Sequence, residues 1–303
     1  MRVVFMGTPQ FAVPTLKALV EAGHSVAAVY TQPDRPKGRG HQLALSPVKE
    51  EALRLGLPVH QPQRVRTQVE ELRALAADAM VVVGYGQIIP QSIIDLPTRG
   101  IINVHASLLP KYRGAAPIQW AIARGETVTG VTTMLINAGL DTGDMLLKWE
   151  TSIGPEESAL DISPRLAEHG AALLIETLEK IDTIKPVKQN DAEATLAPIM
   201  KKEDGQIDFA REATEINNRI RGFQPWPGVY TQLGGQRFHV WKAAAASITV
   251  PPAHLHQHHK RLFIGCGNGS ALELLEVQLE GRKRMPVPVF LNGFTLTENE
   301  PLG

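Results

Sequence analysis

The sequence predicts two folds in series, a mostly parallel α/β sheet followed by a small antiparallel β-barrel. Three observations carry this. The chain opens with an apolar run at 2–6, a helical pattern over 13–22 closed by Gly23, and a second apolar run at 25–30. A βαβ unit of that length implies parallel strands and a right-handed crossover. Next, Ala79-Met-Val-Val-Val83 is apolar on both faces, as a central strand covered on both sides must be. Finally, short alternating runs at 237–242, 262–266 and 272–278 are separated by turns. That spacing suits a small barrel of the OB type. The first part reads as a Rossmann-like domain over 1–189, the barrel as a domain over 208–303, with a linker at 190–207. Pro186 and the irregular stretch 190–198 mark that linker.

Composition narrows the function classes. A chain of 303 residues is long for one compact core. Lys+Arg and Asp+Glu each number 31, so no global field advertises a polyanionic partner. From residue 201 onward the count is 12 against 10, and before it 19 against 21, too small an asymmetry to mark a nucleic-acid domain. Cys266 is the one cysteine, which excludes an internal disulfide framework and fits a reducing, cytoplasmic compartment. No apolar run approaches the roughly 18 residues that span a bilayer. The run at 2–6 is too short for a signal-peptide core.

Taken in order, the elements place the chemistry. The turn Gly7-Thr8-Pro9 has one glycine where a dinucleotide fingerprint needs G-x-G-x-x-G, so a nicotinamide site is not expected. In the stretch 31–49, Pro33, Pro36, Gly38 and Gly40 argue against regular structure. Arg35, Lys37, Arg39 and Lys49 there face one acid, Asp34. This is a solvated surface loop or a basic loop that meets phosphates. Ser46-Pro47 opens a helix to Leu55, stopped by Gly56. Thr67-Gln-Val-Glu70 has the pattern of a capping box. In Gly84–Pro90 the glycines let backbone approach a flat ligand, and Ile88 and Ile89 supply an apolar wall; a structural turn fits equally well.

Gly100-Ile-Ile then leads a buried strand into Asn103-Val-His105. Residues at i and i+2 of a strand share a face. An amide beside an imidazole suits acyl transfer: the amide N–H holds a developing oxyanion and the imidazole moves a proton. A loop with Pro110, Gly114 and Pro117 turns the chain into an apolar helix near Ala115. Strands follow at 128–136 and 145–149, joined by Leu140-Asp-Thr-Gly-Asp144. Two carboxylates with no further clustered ligands do not make a metal site. A carboxylate beside an imidazole instead favours its proton-carrying form. Helices are expected at 157–181 and at 214–221, the second carrying Arg219 and Arg221. Those two, with Arg282 and Lys283, make a basic face or a plain solvated surface. His254, His256, His258 and His259 read as an exposed loop between strands.

Whole strings add to this. Asn103-Val-His-Ala-Ser-Leu-Leu-Pro110, Tyr112-Arg-Gly-Ala-Ala-Pro-Ile118 and Gly139-Leu-Asp-Thr-Gly-Asp-Met145 resemble the folate-dependent formyltransferases. Gly7-Thr-Pro9 and Pro225-Trp-Pro-Gly228 extend the likeness over most of the chain; the histidine-rich stretch departs from it. The resemblance implies 10-formyltetrahydrofolate as a cosubstrate, not a bound prosthetic group, and catalysis by Asn103, His105 and Asp141. It implies a folate pocket at Tyr85, Gly86, Gln87, Ile88, Ile89, Ser107, Leu108, Leu109 and Pro110. The string at 32–40 is similar to a loop of the branch that acts on initiator methionyl-tRNA, where it touches the acceptor stem. That likeness makes Arg35, Lys37, Arg39, Lys49, Arg219, Arg221, Arg282 and Lys283 the tRNA-binding candidates, with Arg39 first. Sugar-nucleotide formyltransferases lack the string; the purine-pathway glycinamide ribonucleotide enzyme is shorter; the formyltetrahydrofolate hydrolase has an extra sensing domain that is not evident here. A non-catalytic tRNA- or folate-binding relative is disfavoured because Asn103, His105 and Asp141 are all present. The resemblance implies no metal, no membrane and no stable protein partner.

Overall fold

The structure is a computed structural model and describes residues 1–37, 42–296 and 300–303. The chain forms two compact units. One comprises residues 1–115, 129–151 and 163–198; the other comprises 116–128, 152–162 and 199–303.

The first part contains strands β1 (Arg2–Gly7), β2 (Ser25–Tyr30), β3 (Arg35–Lys37), β4 (Gln42–Ala44), β5 (Val59–His60), β6 (Ala79–Val83), β7 (Ile101–His105), β8 (Arg113–Gly114), β9 (Val128–Leu135), β10 (Met145–Ser152) and β11 (Leu196–Ala197). The main sheet has the order β10-β9-β7-β6-β1-β2-β5. β1 pairs parallel with β2 and β6, β2 with β5, and β6 with β7. β7 runs antiparallel to β9. This is the expected Rossmann-like, mostly parallel sheet. It is parallel where its strands are apolar throughout: every residue of β6 and of β7 is buried. Parallel pairing puts the carboxyl ends of β1, β6 and β7 along one edge, with Gly7 beside Val83 and Asn103 beside Val82. Ligands of open α/β sheets bind at that edge.

The helices are α1 (Val13–Glu21), α2 (Pro47–Arg54), α3 (Val69–Ala74), α4 (Gln91–Ile94), α5 (Pro117–Ala123) and α6 (Ala159–Glu179). α2 starts as its sequence predicts: the Ser46 side chain accepts from the Lys49 N–H, and Pro47 occupies the first turn. The capping box at Thr67 does not form. Thr67 Oγ1 donates back to the Arg64 carbonyl at 2.9 Å inside a short 3₁₀ turn, and α3 begins after Gln68 with no side-chain cap. A local hydroxyl–carbonyl bond has outcompeted the cap. The stretch 31–49 is also more regular than its prolines suggest. β3 and β4 pair antiparallel, Arg35 opposite Ala44 and Lys37 opposite Gln42. An isolated ribbon leaves edge positions where a proline's missing N–H costs nothing. Arg39 lies outside the described residues.

The second unit holds α7 (Ala213–Gly222), β12 (Val229–Leu233), β13 (Gln236–Ala246), β14 (His254–His258), β15 (Arg261–Gly265), β16 (Ala271–Leu279), β17 (Met285–Pro286), α8 (Val287–Phe290) and β18 (Glu300–Pro301). The strand order is β12-β13-β16-β15-β14-β18, with β17 on β16, and the pairings are antiparallel. Phe223, Phe238, Leu262, Val277 and Phe290 form its core, joined by Cys266. The histidine tract is not a loop. β14 pairs with β15, His256 opposite Phe263, and Leu255 is buried between the outward-facing histidines. Period-2 alternation, not the flanking prolines, decides that segment. Among the described residues no group of three or more candidate ligands forms a metal site.

Burial pushes the Cys266 thiol up to about 11. The thiolate is the reactive species. At pH 8 a thiol reagent should leave the folded protein unmodified and label one thiol per chain in denaturant. Labelling of the native chain at the rate of a free thiol would contradict this packing.

Candidate active site

β7 presents Asn103 and His105 on one face, opposite Met134 and Thr132 of β9. Both are buried. The chain beyond His105 is lashed to β9. Thr132 Oγ1 donates to the Ser107 carbonyl at 2.7 Å and accepts from the Leu109 N–H at 3.1 Å. Ser107 Oγ donates to the Lys111 carbonyl at 2.6 Å. Tyr112 then adopts a left-handed conformation, φ +63°. That turn aims its carbonyl oxygen at His105 Nε2, 2.9 Å away. A carbonyl oxygen only accepts, so Nε2 carries a hydrogen. Nδ1 faces the other way, 3.7 Å from Asp141 Oδ2.

Asp141 lies on the loop between β9 and β10. The Leu135 N–H donates to the Asp144 carbonyl at 2.9 Å and closes the loop at its base. Asn137 Oδ1 accepts from the Gly139 N–H at 3.0 Å and from Thr142 Oγ1 at 2.8 Å. A Cβ on Gly143 would sit 1.8 Å from the Leu135 carbonyl oxygen, so only glycine closes the loop this way. Asp141 is left-handed as well, φ +49°. Its carboxylate accepts from the Gly114 N–H at 2.8 Å and from Asn103 Nδ2 at 3.4 Å. The amide, the imidazole and the carboxylate thus meet at one place. The Asn103 contact is long for a hydrogen bond, and this donor is the one most easily turned toward an incoming oxygen.

The folate candidates divide by burial. Ile88 is 92% exposed and presents an apolar face. Gly86 beside it is left-handed and exposed. Tyr85 is buried, its hydroxyl has no hydrogen-bond partner among the described residues, and burial raises its pKa above the ordinary phenol value. Its carbonyl accepts from Thr8 Oγ1 at 3.0 Å and from Gln32 Nε2 at 3.2 Å, joining three loops. Gln87 is spent on the Val65 N–H (2.6 Å) and the Pro62 carbonyl (3.0 Å). Ile89 packs on the core. Ser107, Leu109 and Pro110 are buried and Leu108 half-buried.

The basic candidates divide too. Arg35 is exposed, and Lys37 lies on β3. Lys49 pairs with Asp34 at 2.5 Å, a bond that, with a second from Gln61, lowers the Asp34 carboxyl below its usual range. Arg219 and Arg221 do not form a basic face. Arg219 donates to the Asp204 carbonyl at 3.0 Å and stacks over Phe223. Arg221 donates to the carbonyls of Gly154 and Glu157 at 3.1 and 2.6 Å and to Asn218. Desolvation lowers the pKa of both. Arg282 and Lys283 are exposed in the turn after β16.

Residues the sequence reading did not single out complete the site. The Tyr112 carbonyl and the Gly114 N–H sit inside a recognised string, so a signal existed. Gln189 had none. It donates to the carbonyls of Asp141 and Gly143, each at 2.8 Å.

Residues 1–178 match the formyl transferase family, and residues 199–295 match the formyl transferase C-terminal domain. A methionyl-tRNA formyltransferase of Solibacter usitatus is 62% identical, covering 100% of this chain and 99% of the relative. One from Koribacter versatilis is 59% identical with the same coverage. An N-formyltransferase from Helicobacter canadensis, solved with folinic acid and dTDP-3-aminofucose, aligns with a TM-score of 0.69 at 19% identity, covering 90% of this chain and 98% of that one. HypX from Aquifex aeolicus, solved with tetrahydrofolic acid, gives 0.65 at 18%, covering 99% of this chain and 48% of that one. At those identities the likeness is one of fold.

Gly143→Ala should lower stability by about 1–3 kcal/mol, the usual cost of overpacking, read as a shift in denaturation midpoint. Unchanged stability would mean that the loop closes differently.

Proposed function

The chain belongs to the formyl transferase family, and we propose that it transfers the formyl group of 10-formyltetrahydrofolate to the α-amino group of methionyl initiator tRNA. The observation that carries this reading is the imidazole of His105 held between the Tyr112 carbonyl and the Asp141 carboxylate, beside an amide donor. The full-length identity to methionyl-tRNA formyltransferases supports the acceptor. Ile88, exposed beside Gly86 at the ligand-binding edge of the sheet, suits one face of a flat pterin ring.

The amino nitrogen attacks the formyl carbon, a C–N bond forms, and the bond to N10 of the folate breaks. Asn103 Nδ2 leaves Asp141 and donates to the oxygen that gains charge; one such donor contributes roughly 10²–10³ in rate. The attacking nitrogen loses a proton and N10 gains one. His105 and Asp141 carry that exchange, a role worth on the order of 10²–10⁴. Asp141 also sets a carboxylate facing Nδ1 of His105, 3.7 Å away. Phosphates of the tRNA meet the exposed cations Arg35, Arg282 and Lys283, with Lys37 and Arg39 as further candidates. Among the described residues no helix is long and apolar enough to cross a membrane. The proposed translation substrate supports a cytoplasmic location.

Single-turnover formylation tests the roles. Asn103→Ala, His105→Ala and Asp141→Ala should each slow the step by at least about 10² while the variants stay folded. Near-normal rates would remove the assignment. The acceptor is tested by competition among charged initiator tRNA, charged elongator tRNA and an amino-sugar nucleotide, with initiator tRNA expected to win. The phosphate contacts have their own signature. Arg282→Ala with Lys283→Ala should reduce the slope of log Kd against log salt by about 1–2. An unchanged slope would place the tRNA elsewhere.

A further inference from the structure

We infer that residues 187–197, a segment that neither family match covers, are a working wall of the active site: Gln189 and Thr195 are positioning residues that hold the two partners of His105. The inference builds on the reaction proposed above.

Each ring nitrogen of His105 has one partner, and each partner belongs to a left-handed residue that is not glycine. The Nε2 partner is the Tyr112 carbonyl; the Nδ1 partner is the Asp141 carboxylate. Such residues are held in place by their surroundings, and they concentrate at functional sites. The surroundings here are one stretch of chain. Thr195 Oγ1 accepts the Tyr112 N–H at 2.9 Å, and the Thr195 carbonyl accepts the Arg113 N–H at 2.9 Å. β11 then pairs with β8, Leu196 with Arg113 and Ala197 with Gly114. The same Gly114 donates its N–H to Asp141. A Cβ on Gly114 would lie 2.5 Å from the Ala197 carbonyl oxygen, so the strands meet as backbone against backbone.

On the other side, the Gln189 amide donates both hydrogens, one to the Asp141 carbonyl and one to the Gly143 carbonyl. Its oxygen is held in turn by Arg113 Nε at 2.9 Å, and Arg113 reaches Asp191 at 2.8 Å. Arg113 is buried although its partner Asp191 is exposed. Gln189 therefore fixes the peptides around Asp141, and Thr195 fixes the peptide before Tyr112. Loss of either lets one left-handed residue relax. The corresponding partner then moves away from the imidazole by an ångström or so, and a shift of that size can cost about 10² in rate.

The test uses the full chain with near-isosteric changes. Gln189→Glu keeps size and the Arg113 contact but removes both donors. Thr195→Val keeps shape but removes the acceptor, and Thr195→Ser restores it. Expected are a loss of about 10–100-fold in kcat for Gln189→Glu and Thr195→Val, KM for both substrates within about twofold, and near-wild-type kcat for Thr195→Ser. Nitrogen NMR of the His105 ring reads the same contacts without turnover: Gln189→Glu should move the Nδ1 signal and Thr195→Val the Nε2 signal. Wild-type kcat in both variants, equal loss in Thr195→Ser, or unmoved ring signals would overturn the inference. If the wild-type chain fails to formylate methionyl-tRNA while the ring signals move as expected, the acceptor reading fails and the wall stands.

Discussion

The structure of the site depends on one buried ring with both nitrogens committed. A polar group without a partner in the interior costs about 1–3 kcal/mol. His105 avoids that cost at Nε2, which bonds the Tyr112 carbonyl at 2.9 Å, while Nδ1 faces the Asp141 carboxylate 3.7 Å away. The carbonyl fixes which nitrogen carries the hydrogen, and the carboxylate faces the other. A ring pinned from both sides also sets where Asn103 stands, because the two share one face of β7. A slip of one residue in that strand would turn both to the opposite face. Every residue of β7 is buried, so the register is strongly specified.

The two left-handed residues differ in how easily they are held. A left-handed residue costs roughly 1–2 kcal/mol, less for aspartate, whose short polar side chain bonds locally. Asp141 has such bonds, to the Gly114 N–H and to Asn103. Tyr112 lacks the short polar side chain that eases this conformation, so its left-handed backbone costs more. It is also the one whose backbone is bonded on both sides, its N–H to Thr195 and its carbonyl to His105. Bonds of about 0.5–1.5 kcal/mol each offset strain of that size. The chain spends its interactions where the backbone needs them most.

How much of this was legible follows from the range of each interaction. The parallel sheet, the cap on α2 and the shared face of Asn103 and His105 are local patterns, and the sequence displays them. The strand at the histidine tract was legible in principle, since Leu255 alternates with histidines, but Pro251 and Pro252 drew the reading toward a loop. The box at Thr67 looked right and lost to a nearer carbonyl. Gln189 was illegible for a different reason. It lies 48 residues from Asp141, in a stretch whose proline and asparagine content reads as linker. Composition records that such a stretch is neither helix nor long strand. It is silent on which carbonyls a lone amide reaches. Arg219 and Arg221 mislead in the same way: two arginines near the end of a helix suggest a face for phosphate, and only the fold reveals the Gly154, Glu157 and Asp204 carbonyls that claim them.

That loss bears on how a polyanion is recognised. Acidic and basic residues balance over the chain. Of the predicted cations, Arg219 and Arg221 are spent internally and Lys49 is paired with Asp34. The exposed ones, Arg35, Arg282 and Lys283, are few. Phosphate contacts supply affinity that is blind to sequence and steeply salt-dependent. That route attracts every tRNA alike and selects none. The acceptor must bring its amino group to the carbon beside Asn103, His105 and Asp141, and those groups are already fixed. A displacement of about an ångström at that carbon costs on the order of 10² in rate, so contacts that seat the acceptor act on the reaction through placement as well as through affinity.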